Sequence, residues 1–152
     1  MKNIEVVGLN KVLGEVSFKE VVSGKLQYAI GRNRIKIAHQ VDMLAKIKAG
    51  LAPEGYEELL SEIRGIIQEA VAGKTEAEYT EINRKCIEDW EKNKEWTEIT
   101  TAYDAVIYDL YEQDSALELY KIDEELINSL ALTEGQVAVI LMLNEYAATL
   151  AV

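Results

Sequence analysis

The sequence predicts a mainly α fold, an antiparallel bundle of about five to six helices, and three observations predict it. Apolar residues recur at helical spacing over long stretches. Ser/Thr-x-x-Glu/Gln capping boxes are read at Ser17, Thr75 and Thr133, and Pro53 is the only proline among 152 residues, so little interrupts a helix. No internal repeat, low-complexity run or Ser/Gly/Pro linker marks a boundary, which predicts one domain, residues 1–152, long enough to bury a core. Apolar residues at 49% and charged residues at 28% speak against a globally disordered chain.

Residues 3–16 fit two descriptions. Ile4-Glu5-Val6-Val7 reads as a short strand ended by Gly8, and residues 12–16 as its hairpin partner or a weak helical turn. Ser17-Phe18-Lys19-Glu20 is a capping box flanked by Val16 and Val21, which predicts a short helix from Phe18, interrupted near Ser23-Gly24. The next helix runs over about residues 26–48. At 100° per residue, Leu26, Ile30, Ile37, Val41 and Leu44 fall within about 60° of one another. Gly50 and Pro53 stop it.

Tyr56, Leu59, Leu60, Ile63, Ile67, Ala70 and Val71 mark a second amphipathic helix ended by Gly73, the cleanest periodicity in the chain. Thr75-Glu76-Ala77-Glu78 is a second capping box and opens a helical region reaching about residue 112. Its apolar stripe moves. Tyr79, Ile82, Cys86 and Trp90 share one face, whereas Trp96, Ile99, Tyr103, Ile107 and Leu110 centre roughly 100° further round, so a kink or break is expected in the polar run 91–95. Residues 117–122 alternate loosely and can form a strand whose natural mate is 4–7, giving a small two-stranded β element. A short helix over 123–130 follows. Thr133-Glu134-Gly135-Gln136 then starts a terminal helix so apolar at 137–143 that burial on most sides is expected.

Catalytic chemistry finds few candidates. A hydrolytic triad needs a nucleophile, a base and an orienting group. His39 with Asp42 could supply the last two, but no nucleophile accompanies them, and a surface hydrogen-bonded pair explains them as well. Cys86, the single cysteine, lies on the apolar face with Tyr79, Ile82 and Trp90 and reads as a packed thiol. One Cys and one His cannot build a zinc site, and neither Glu-x-x-His pairs nor calcium loops occur. Gly31-Arg32-Asn33-Arg34 is neither a P-loop nor a dinucleotide fingerprint. The expectation is no enzyme, no cofactor and no bound metal.

The net charge of −11 is unevenly placed. Residues 1–50 hold nine Lys/Arg against four Asp/Glu, a balance of +5, and residues 51–152 hold seven against 23, a balance of −16. The helix over 26–48, continued back to Lys25, carries Lys25, Arg32, Lys36, His39 and Lys46 within roughly an 80° arc opposite its apolar face. That stripe can be a solvated face, a self-neutralising one or a binding one. The acidic remainder speaks against direct binding of nucleic acid. Trp90, Trp96, Tyr103, Tyr108, Tyr111 and Tyr120 crowd into one stretch. Trp96 and Tyr103 read first as core, and Tyr108 and Tyr111 as candidate interface anchors. The candidate partner-binding residues are therefore Lys25, Arg32, Lys36, Lys46, Trp96, Tyr108 and Tyr111.

Met1-Lys2-Asn3-Ile4-Glu5 lacks the apolar run of a signal peptide, and residues 137–143 are far shorter than the ~20 a membrane span needs. A soluble protein of a reducing compartment is expected, its partner another protein or a second copy.

Ser23-Gly24-Lys25 followed by Arg32-Asn33-Arg34-Ile35-Lys36, opening a long helix, resembles a family of small helical proteins of unknown function encoded by phages and prophages. The likeness covers mainly residues 9–48. It implies a phage accessory or virion-associated role in a bacterial cytoplasm, with a phage structural protein or a host protein as partner, and it carries over no catalytic residue. The function expected is a non-enzymatic interaction module. The alternative is an acidic mimic of nucleic acid that inhibits a host nuclease or defence protein.

Overall fold

A computed structural model describes residues 1–147. The described residues form seven helices: α1 (Asn3–Glu15), α2 (Gly24–Gly50), α3 (Tyr56–Val71), α4 (Glu76–Glu91), α5 (Lys94–Glu112), α6 (Glu124–Asn128) and α7 (Glu134–Ala147). The fold is a helical bundle. Its contacts divide the chain into two compact units, Met1–Ile47 with Leu110–Val152, and Lys48–Asp109; the divisions fall inside α2 and α5.

The first unit holds the main core. Val6, Leu9 and Leu13 of α1 meet Leu26, Ala29, Ile30 and Ile37 of α2, with Val139, Ile140, Leu143 and Ala147 of α7 in the same cluster. Phe18, Leu119, Ile122 and Ile127 complete it from the connecting segments and α6. The spacing explains α1: three apolar residues three and four apart make one buried helical face. The Glu5 carboxylate accepts from the Lys2 backbone N–H at 2.6 Å and closes the first turn.

Three expectations are corrected here. Residues 4–7 are helix rather than strand, because Gly8 and Gly14 stand outside the packed face with nothing within 4 Å of an added Cβ and interrupt nothing. Residues 117–122 form no strand, so the two-stranded element does not form; among the described residues the only β-type pairing is an isolated bridge from Lys2 to Asp114. The helix expected from Phe18 is also absent. Phe18 is buried in the core, Val21 N–H closes a turn onto its carbonyl at 3.1 Å, and Ser17 Oγ accepts from Lys19, two residues on rather than three.

Side-chain amides supply what a neighbouring strand would have given the 117–122 segment. Asn33 Oδ1 accepts from Tyr120 N–H at 2.6 Å and Asn33 Nδ2 donates to the Tyr120 carbonyl at 2.9 Å. Asn144 repeats the arrangement on Ile122, both distances 2.7 Å. Arg34 donates to the Leu13 and Val16 carbonyls at 3.0 and 2.9 Å, satisfying acceptors left open at the end of α1.

The second unit is thinner. α3 and α4 pack on one another across a short turn where Gly73 takes φ +72°. The Thr75 box forms as expected, Thr75 N–H donating to Glu78 Oε2 at 2.9 Å. The expected break after α4 falls at Lys92-Asn93, and Asn93 Oδ1 accepts from Trp96 N–H at 3.1 Å to begin α5. α4 buries none of its residues, and Ile63 is the only one buried in α3.

Candidate functional site

Two surfaces carry the side chains singled out from the sequence, one on each unit. On the first unit, α2 lies beside the 117–122 segment and a seam runs between them. Arg32 sits at its middle. Its guanidinium carbon lies 5.6 Å from the ring centroids of both Tyr28 and Tyr120, and its Nη1 donates to the Tyr28 hydroxyl at 2.9 Å. The two rings meet edge to face, with centroids 6.2 Å apart. The hydrogen bond to the Tyr28 hydroxyl holds the Arg32 pKa above its already high value, and the guanidinium is a permanent cation.

A cleft flanks this cluster on either side. One, of about 390 Å³, is lined by Ile35, Lys36, His39 and Gln40 of α2 and by residues 116–118. The other, of about 270 Å³, is lined by Lys25, Tyr28 and Ala29 of α2, by residues 120–123 and by Leu126. Lys25 and Arg32 are exposed, whereas Lys36 is half-buried because its ammonium donates to the Glu118 carbonyl. The seam therefore brings three of the four basic candidates together. Lys46 is exposed but stands about 15 Å further along the helix from Lys36, outside both clefts.

Tyr28 and Tyr120 were not among the residues expected to bind. Tyr28 is readable in retrospect, four residues before Arg32 on the same helical face. Tyr120 is not, since only the tertiary fold brings it there.

On the second unit, Trp96 stacks on Tyr56 with ring centroids 5.9 Å apart, and Tyr56 meets Tyr103 at 4.7 Å. Trp90 lies 6.3 Å from Trp96, its indole N–H buried without an acceptor. Tyr103 is buried and its hydroxyl donates to the Lys48 carbonyl at 2.9 Å. Trp96 is half-buried within this cluster, as its first reading as a packing residue requires. Tyr108 is 66% exposed. Tyr111, half-buried, belongs to the first unit. The apolar stripe of α4 closes incompletely: Ile82, Cys86 and Trp90 are half-buried, and Tyr79 and Ile87 are exposed.

The acidic side chains of this unit lie in water, and some are paired. Arg84 bridges Glu81, at 2.6 Å, and Glu88 on α4, holding the Glu81 carboxyl below its usual range. His39 and Asp42 are both exposed, with no hydrogen bond between them. Among the described residues, no three His, Cys, Asp or Glu side chains are grouped so as to hold a metal, and no helix is long and apolar enough to cross a membrane. Comparison with known protein families, with curated protein sequences and with solved structures found no match to this chain.

Proposed function

We propose that this chain is a non-enzymatic protein-interaction module. One observation carries the reading: α4 has an apolar stripe of core type, Tyr79, Ile82, Cys86 and Trp90, yet covers it only in part, with three of the four half-buried and Tyr79 exposed. An amphipathic helix gains its stability from covering that stripe. Exposed apolar surface of this kind marks a binding face more often than an idle one. The partner on this reading is another protein, with a second copy of the chain as the simplest case. The resemblance of residues 9–48 to phage-encoded helical proteins supports an accessory or virion-associated role, with a bacterial cytoplasm as the setting.

The test uses the exposed positions. Tyr79→Ser with Ile87→Ser should leave the helical content intact and abolish self-association in light scattering, or capture of the partner from bacterial and virion extracts. Trp96→Ala, which removes packing on Tyr56, should lower stability instead. Retention of the partner by the double variant would remove the reading.

A second reading has its own observation. The unit Lys48–Asp109 holds seven Lys/Arg against fifteen Asp/Glu, a balance of −8, with every carboxylate of α4 exposed. Such a face can imitate phosphates and occupy the basic channel of a nuclease or defence protein. Binding would then fall steeply with salt. Affinity unchanged between low and moderate salt would count this reading out.

A further inference from the structure

We propose that the seam between α2 and residues 117–122 is a docking groove for an extended, acidic peptide segment of a partner protein. The inference rests on the reading of the chain as a binding module, but stands on the first unit and needs none of the α4 surface. Geometry comes first. The clefts are centred near residues 27 and 37 of α2, about 15 Å apart at 1.5 Å per residue. An extended chain covers that distance in about four or five residues, so two of its side chains can enter the clefts from one face.

The clefts suit apolar side chains. Ile35, 71% exposed, and Leu117 line one, and Ala29, Ile122 and Leu126 line the other. Exposure of a β-branched apolar residue at the mouth of a cleft leaves surface that a ligand can cover.

Charge selects the occupant. Lys25, Arg32, Lys36 and Lys121 stand along the seam against the carboxylates of Glu118 and Asp123, a local excess of cations in a chain of net charge −11. Arg32 is already oriented by two tyrosines and uses one of its five N–H donors on Tyr28, leaving the others for a carboxylate. Tyr28 and Tyr120 add rigid aromatic area beside it, the type of surface that anchors peptides. Four cations among apolar walls, with two carboxylates between them, suit a short acidic peptide better than a continuous run of phosphates.

The experiment selects a displayed library of random peptides on the intact chain and sequences the survivors. Enriched peptides should carry acidic residues around two apolar ones about four apart. Bound to the protein, they should shift the amide resonances of Tyr28, Ile35 and Tyr120. Arg32→Ser combined with Lys121→Ser should weaken them roughly tenfold while circular dichroism and Tm stay near wild type, both side chains being exposed.

Survivors without acidic bias, no survivors, binding indifferent to the double substitution, or tighter binding of single-stranded oligothymidylate would each overturn the groove. Peptides lost on Tyr79→Ser with Ile87→Ser but not on the Arg32 and Lys121 variant would overturn it too, and leave the broader binding reading standing. Retention of partner capture by Tyr79→Ser with Ile87→Ser, with the groove peptides still lost on the Arg32 and Lys121 variant, would do the reverse.

Discussion

Asn33 sits in the middle of α2 with no exposed surface, and its amide pairs both backbone groups of Tyr120 as a neighbouring strand would. Removing it leaves the part-buried N–H and carbonyl of Tyr120 without their partners and a gap where the buried amide stood, the costly way to lose a hydrogen bond. Asn33→Ala should therefore destabilise the chain by about 2–4 kcal/mol, read from urea denaturation. Asn33→Asp should cost at least as much, because its carboxylate would face the Tyr120 carbonyl without a proton to give. A loss below about 0.5 kcal/mol for Asn33→Ala would mean that water replaces the amide there.

Tyr146 gives a pH dependence with a definite sign. Burial first, then the negative charge of Glu5, whose Oε1 accepts from the phenol at 3.3 Å, raise its pKa above the ordinary 10.0. The folded chain thus holds this proton more tightly than the unfolded one does. Its contribution to stability is complete below the unfolded pKa and is lost as pH rises through the higher folded value. Tyr146→Phe should flatten the fall of stability on the alkaline side and change little near neutrality. Denaturation midpoints across that range check it, and parallel pH profiles for the two proteins would contradict it.

At the scale of elements, α4 depends on local interactions because packing gives it so little. Its first turn is closed by Thr75 and Glu78, each side chain serving the other's backbone N–H. Thr75→Ala should cost about 1 kcal/mol, seen as a lower denaturation midpoint and faster amide exchange in the first turn of α4. Arg84→Ala should change far less despite its two glutamate partners, since all three side chains are half in water.

The same contrast governs what could be read in advance. α3 was legible because its stripe is long and ends before Gly73, which takes a positive φ. The break between α4 and α5 was legible from a moving stripe. α1 was misread because Ile4-Glu5-Val6-Val7 is too short to separate a period of 2 from one of 3.6, and Gly8 looked like a stop. The box at Ser17 failed because burying Phe18 outweighed starting a helix there. The basic half of the seam was visible as a stripe on one helix. Its tyrosine wall and both clefts were not, because Tyr120 reaches Arg32 only through the amides of Asn33 and Asn144, which are long-range contacts.

Across the whole molecule, stability should be distributed unevenly. The first unit closes a core to which α1, α2, α6 and α7 all contribute, while in the second only Ile63 and Tyr103 are buried apolar residues. Local opening is easiest where few apolar side chains leave water-excluded surroundings. Native-state hydrogen exchange should accordingly give the slowest amides in α2 around Ile30 and Ile37 and in α7 around Ile140 and Leu143. Those of α4 should exchange through openings well below the global unfolding free energy. Because the first unit joins residues near both ends of the chain, such as Glu5 with Tyr146, its contacts are costly to close in folding, whereas α3 and α4 are sequence neighbours. Pulse labelling during refolding should find α3–α4 amides protected early yet least protected at equilibrium, an inversion of order that stability alone would not produce. If α4 instead shows the protection of α2 at equilibrium, its half-covered stripe is fully covered in solution, and self-association at the labelling concentration becomes the first explanation to measure.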